Sequence, residues 1–168
     1  MYKLFLYIKF LLKSTNQHGV QSPFVYELVT NCFYNKSLNE KNRLTALFVK
    51  DKKLSGKQMK FVNKLVNYFK KDEEDFSSKK DSILKNSTDK FDLIYFDSPD
   101  QFHFNKIITI LNTNQFVLIN NINNSKKQND TWGSLVKHPL ATVTIDIYFF
   151  GLIFFRKGQV KEHFIIRP

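Results

Sequence analysis

Cysteine, glycine, arginine and acidic side chains are all scarce in this chain, and each shortage excludes something. The single cysteine, Cys32, rules out an internal disulfide and fits a reducing compartment. No histidine lies near it in sequence, so it reads as a buried structural thiol. The five glycines, Gly19, Gly56, Gly133, Gly151 and Gly158, are too widely spread for any two to share a ligand-cradling loop. Of 26 basic residues only Arg43, Arg156 and Arg167 are arginine. A lysine-dominated set is not the usual reader of phosphates and bases, where the guanidinium fork is favoured. A run of ~20 apolar residues, the length needed to cross a bilayer, is also missing. The apolar opening, MYKLFLYIKFLLK, is broken by Lys9 and lacks the small-residue cleavage site of a signal peptide. It reads as a docking helix, with membrane association the minority reading, and the protein is expected in the cytoplasm.

What is present suffices for one domain. The chain has 168 residues, 42% hydrophobic and 15% aromatic, with 18 Phe, enough for a real core and incompatible with intrinsic disorder. The net charge of +11 divides as +8 over residues 1–60, −2 over 61–100 and +5 over 101–168. Nucleic acid or an anionic surface is therefore a conceivable partner, but the lysine bias makes nucleic acid a minority expectation.

Ser22-Pro23 predicts a helix start, a hydroxyl cap followed by proline in the first turn, with an apolar face through Phe24, Val25, Leu28, Val29 and Cys32. A further helix opens at Ser55, where Ser55 and Gln58 have capping-box spacing. Its expected core face is Met59, Val62, Leu65, Val66 and Phe69, and Lys57, Lys60 and Lys64 are expected on a solvated side. Residues 70–90 are charged and aperiodic, reading as a loop or at most a short helix around 82–85. From Phe91 the texture changes. Residues 91–97 and 116–119 read as strands, 102–111 and a capped segment opening at Ser125 and Gln128 as helices, and 141–147, 151–156 and 164–166 as strands. Alternation of strand and helix calls for a parallel sheet covered on both faces, ending in strands whose short links demand antiparallel pairing. Ligands of such sheets sit beyond the carboxyl ends of the strands, where Asp97, Ser98, Asn120 and Asn121 are the candidate binding residues.

These stretches resemble a known family. His18-Gly19-Val20-Gln21-Ser22-Pro23-Phe24, Val143-Thr144-Ile145-Asp146, the run 151–156 and Lys161-Glu162-His163-Phe164 are similar to small bacterial members of the class I S-adenosylmethionine-dependent methyltransferases. The resemblance implies a Rossmann-like α/β sheet, here partial: a C-terminal half with an antiparallel end, preceded by N-terminal helices. It divides the single domain into a helical part (1–70), a linker (71–90) and a sheet half (91–168). The resemblance also implies what is missing. The family holds its cofactor on a glycine-rich turn after the first strand, with an acidic residue after the second binding the ribose. The 21 residues from 70 to 90 are fewer than even one βαβ unit of ~30 residues needs. Where the family carries paired aspartates after the strand 116–119, this chain has Asn120-Asn121, amides that can neither act as a base nor hold a metal with charge. Asp97 is retained, but Ser98-Pro99-Asp100 replaces the family's Gly-Asn-His, and Asp97 is expected to cap the following helix.

The expectation is thus a degenerate methyltransferase homologue without cofactor, acting as a binding or assembly module. S-adenosylmethionine would bind only if the family activity survives. The alternatives are an active methyltransferase completed by a partner chain, and a basic protein binding nucleic acid or a membrane surface. Loss of the leading strands leaves a sheet edge at 91–96 where a second copy or a partner would pair. Asp100 and His103 share a helix face but lack further metal ligands, so they read as a capping pair. His138 before Pro139 reads as a cation at a helix end, and His163 as a polar residue on a strand face.

Overall fold

The computed structural model describes residues 2–39, 54–69 and 92–168. The linker, the short helix expected near 82–85 and any cover over the leading edge of the sheet fall outside the described residues. Five strands form one mixed sheet: β1 (Asp92–Phe96), β2 (Gln115–Asn120), β3 (Val143–Asp146), β4 (Phe150–Phe154) and β5 (Glu162–Ile165), in the order β1-β2-β4-β3-β5. The helices are α1 (Tyr2–Lys13), α2 (Pro23–Leu28) running into a wider turn over Val29–Phe33, α3 (Gly56–Phe69), α4 (Gln101–Ile108) and α5 (Lys126–Lys137).

The strands form because alternate residues find a core on each side. Leu93, Tyr95, Phe116, Leu118, Ile145 and Leu152 are buried against α2 and α3 through Val25, Leu28, Val62 and Leu65. Ile94, Val117, Ile119 and Ile153 are buried on the opposite face with Phe104 and Ile108 of α4 and Trp132 and Leu135 of α5. The result is a sheet covered by helices on both faces, as the unbroken apolar runs require. Aromatic contacts tighten the first core, with Phe116 stacked on Phe154 at 5.2 Å and 18°.

Pairing follows from where each strand finds a free edge. β1 runs parallel to β2, with Leu93 opposite Phe116 and Phe96 opposite Ile119. The crossover through α5 sets β3 parallel to β2 but one strand away, and β4 fills that gap antiparallel to both. The expected antiparallel end is thus correct for β3 and β4 and wrong for β5. Both edges of β4 are occupied, so the chain steps over to the free edge of β3, and β5 pairs there in parallel, Val143 opposite Glu162. Thr15 continues along that edge, donating its N–H to the Ile165 carbonyl at 2.9 Å and accepting from Arg167 at 3.1 Å.

Local signals divide into those that hold and those that do not. Both Ser and Gln pairs bond across their helix starts, the Ser55 pair as a reciprocal box. The Ser55 N–H donates to Gln58 Oε1 at 2.9 Å, and Ser125 Oγ accepts from the Gln128 N–H at 3.2 Å. Ser22 precedes the helix that begins at Pro23 but does not cap it. Its hydroxyl instead accepts from Gln159 Nε2 at 2.9 Å. On α3 the buried set includes Phe61 and Asn63 beside Val62, Leu65 and Val66, while Met59 is only half-buried. Lys64 does not lie on a solvated stripe, because its ammonium reaches back to the Phe33 carbonyl at the end of the wide turn. That position removes water from it and lowers its pKa. The Cys32 thiol is buried and its pKa is pushed up to about 12 by loss of solvent, as an inert thiol requires. The amphipathic α1 docks only Leu6 and Phe10. Leu11 is half-buried, and Leu4, Phe5, Ile8 and Leu12 stay in solvent.

Candidate functional site

The carboxyl ends of β1, β2 and β3 lie along one edge of the sheet, and two polar clusters occupy it. The first contains the four residues singled out in the sequence. Asn121, in the left-handed region at φ 57°, turns its side chain back so that Nδ2 donates to the Asp97 carbonyl at 2.9 Å. Asparagine tolerates this backbone better than most residues. Asn120 is buried, and its Oδ1 accepts twice: from the Asn121 N–H at 2.8 Å and from Gln58 Nε2 of α3 at 2.8 Å. Gln58 is therefore both a partner in its own helix cap and a strut to the sheet. Beneath them the buried Tyr95 hydroxyl has its pKa raised by loss of solvent and by the Asp97 carboxylate.

Asp97 itself is exposed at the end of β1, with Ser98 half-buried beside it. The expectation that Asp97 caps α4 is corrected by one turn of chain. The cap is Asp100, whose Oδ1 accepts from the His103 N–H at 3.0 Å while Oδ2 lies 2.6 Å from His103 Nδ1. Asp100 is close enough to the helix start for its carboxylate to reach the free amides, which Asp97 is not. The contact with His103 holds the Asp100 carboxyl below its ordinary range. Asp100 and His103 are thus the capping pair read from their spacing.

The second cluster was not singled out. At the end of β3, Asp146 is buried, and its Oδ1 accepts from the Tyr148 N–H at 2.7 Å. Side chains of Trp132 and Asn123 also hydrogen-bond to it, but burial dominates and pushes its pKa up to about 6. Asn123 is held in turn, donating to the Tyr148 carbonyl at 2.8 Å and accepting from Asn129 Nδ2 at 2.6 Å. Tyr148 has φ 74°, and the Phe149 N–H donates to the Ile147 carbonyl at 3.0 Å, closing a strained three-residue turn between β3 and β4. Trp132 lies flat over Gly151, the residue paired with Asp146. A Cβ added there would stand 2.5 Å from the indole ring. A signal for this cluster existed: Asp146 breaks an otherwise apolar strand end, the same position at which Asp97 and Asn120 attracted notice.

A cavity of about 280 Å³ opens between α1 and α5 over this cluster, lined by Leu6, Phe10, Lys9, Trp132, Asp146 and His163 among others. His163 Nδ1 meets the Thr144 hydroxyl at 2.9 Å, and loss of solvent followed by the Lys161 charge holds the imidazole towards neutral. Thr144 is buried, so this pair ties β3 to β5 and presents no nucleophile. His138, expected as a cation, is held towards neutral by loss of solvent and by Lys161. Its Nδ1 accepts from the Leu140 N–H at 3.3 Å.

Among the described residues no group of three or more His, Cys, Asp or Glu side chains could hold a metal ion. An adenosyl cofactor of the kind the resemblance implies needs backbone amides opened by glycine. The turns after β1 and β2 carry Ser98-Pro99-Asp100 and Asn121-Ile122-Asn123 instead, and Asn120 Oδ1 and Asn121 Nδ2 bond to neighbouring protein groups. The described turns do not fit that group. Comparison of the chain with family models, curated proteins and solved structures returns no match.

Proposed function

We propose that this chain is a binding or assembly module on a partial Rossmann-like, methyltransferase-like sheet, no longer catalytic and without bound S-adenosylmethionine. One observation carries the reading: the amides standing at the end of β2 are turned inward as struts. Asn120 receives Gln58 and the next backbone N–H, and Asn121 fastens the Asp97 carbonyl. With two protein donors on its side-chain oxygen, Asn120 has no acceptor left over for a ribose hydroxyl. The assembly role would be met by a second copy or a partner adding a strand along the outer edge of β1. Titration of the purified protein with S-adenosylmethionine in a calorimeter is expected to give no saturable heat. Stoichiometric binding would overturn the reading. Sedimentation across concentration is the companion measurement. A strictly monomeric protein that captures no partner would remove the assembly role.

A second reading rests on Asp97, which remains at the end of β1 with an exposed side chain. In an active methyltransferase completed by a partner chain, this carboxylate would orient cofactor or substrate. Methyl transfer by the oligomer, abolished by Asp97→Asn at unchanged thermal stability, would favour that reading over the first.

A further inference from the structure

We propose that the outer face of α1 lies on an anionic membrane surface. At about 100° per residue, Leu4, Phe5, Ile8, Leu11 and Leu12 fall within an arc of about 120° on the side away from Leu6 and Phe10. Leu6 and Phe10 are buried, whereas Leu4 and Phe5 are each 63% exposed, Ile8 49% and Leu12 83%. The arc points outward because the other side of the helix is fastened. The Tyr148 hydroxyl donates to the Lys3 carbonyl at 3.0 Å, and its ring meets Tyr7 at 4.9 Å and Phe10 at 5.5 Å.

Charge selects the occupant. All three lysines of α1 are exposed, Lys9 about 40° beyond one end of the arc and Lys13 and Lys3 about 80° beyond its two ends, and the sequence contains no acidic residue before Glu27. Two copies of α1 laid face to face would bring six lysines to one contact with no carboxylate among them. A bilayer with anionic headgroups supplies an apolar interior beneath the arc and negative charge that the three lysines reach on their flexible stems. Tyr2 and Tyr7, 38% and 43% exposed, flank the arc at the level where amphipathic rings favour the headgroup boundary. Twelve residues give a helix only about 18 Å long, so it lies in the surface and does not cross it. No helix among the described residues is long and apolar enough to cross a membrane.

The test is co-sedimentation with phosphatidylcholine vesicles with and without phosphatidylserine, using the full chain and the double variant Ile8→Glu/Leu12→Glu. Both positions are exposed, so the fold is expected to survive, as checked by near-ultraviolet circular dichroism. Binding to phosphatidylserine vesicles that weakens with salt, falls at least about tenfold on uncharged vesicles, and falls similarly in the double variant is the expected result. Failure to bind the anionic vesicles, equal binding to uncharged ones, or binding unchanged in the double variant would overturn it. So would self-association that the double variant abolishes while vesicles are ignored, which would assign the face to a second copy.

Discussion

At Asp146 a carboxylate is held out of water by Trp132, Asn123 and the Tyr148 backbone, and its pKa stands near 6 against 3.8 for an unhindered aspartate. Between those two values the folded protein retains a proton that the unfolded chain has released. Stability therefore falls as pH rises from about 4 to 6, by roughly 3 kcal/mol in all. Asp146→Asn keeps an oxygen for the Tyr148 N–H and carries no charge. It is expected to flatten this slope, as denaturant midpoints at the two ends of the window will check. Gly151 admits no side chain beneath the indole of Trp132. Gly151→Ala forces the ring or the strand to move and is expected to cost about 2–4 kcal/mol, within the range for a strained core. Trp132 is the chain's only tryptophan, so its emission reports the displacement directly. Neither residue's role was legible in sequence, because spacing along one strand does not show which ring crosses it from a helix. Asp97 and Asn120 were legible as strand ends, but whether an amide faces a ligand or a neighbour depends on Gln58, 62 residues away.

Helix starts were the most readable elements, because a cap and its reciprocal partner are close in sequence. Ser55 with Gln58 and Ser125 with Gln128 behave as their spacing predicts. Ser125→Ala is expected to lower stability by about 1 kcal/mol, read from the thermal midpoint. Ser22 failed the same rule because Gln159, 137 residues on, claims its hydroxyl. Lys64 likewise left its expected solvated row because the end of the wide turn at Phe33 offers a carbonyl in need of a donor. The partner of β5 was unreadable for a comparable reason. A short link excludes a helical crossover, but it does not show that β4 is already enclosed on both edges.

For the molecule as a whole, the α/β class followed from apolar runs too continuous for half-exposed strands, separated by helices with one apolar face. Strand order did not follow, since the slot between β2 and β3 is set by the span of α5 and is filled only after the chain doubles back. A single sheet serves both cores, so neither core can melt alone without baring the same strands. Unfolding is expected to be one cooperative transition, with Trp132 emission and far-ultraviolet circular dichroism coincident in denaturant.

The seating of α1 has a temporal consequence. Its anchor, Tyr148, lies 145 residues beyond Lys3, and Thr15 joins the sheet only through Ile165 and Arg167. During synthesis these greasy turns leave the ribosome long before their seat exists, so α1 emerges well ahead of the strands and turn on which it docks. A nascent chain of this kind carries an adhesive helix until its C-terminal strands are made, and whatever shelters that helix in the cell acts before the fold is complete.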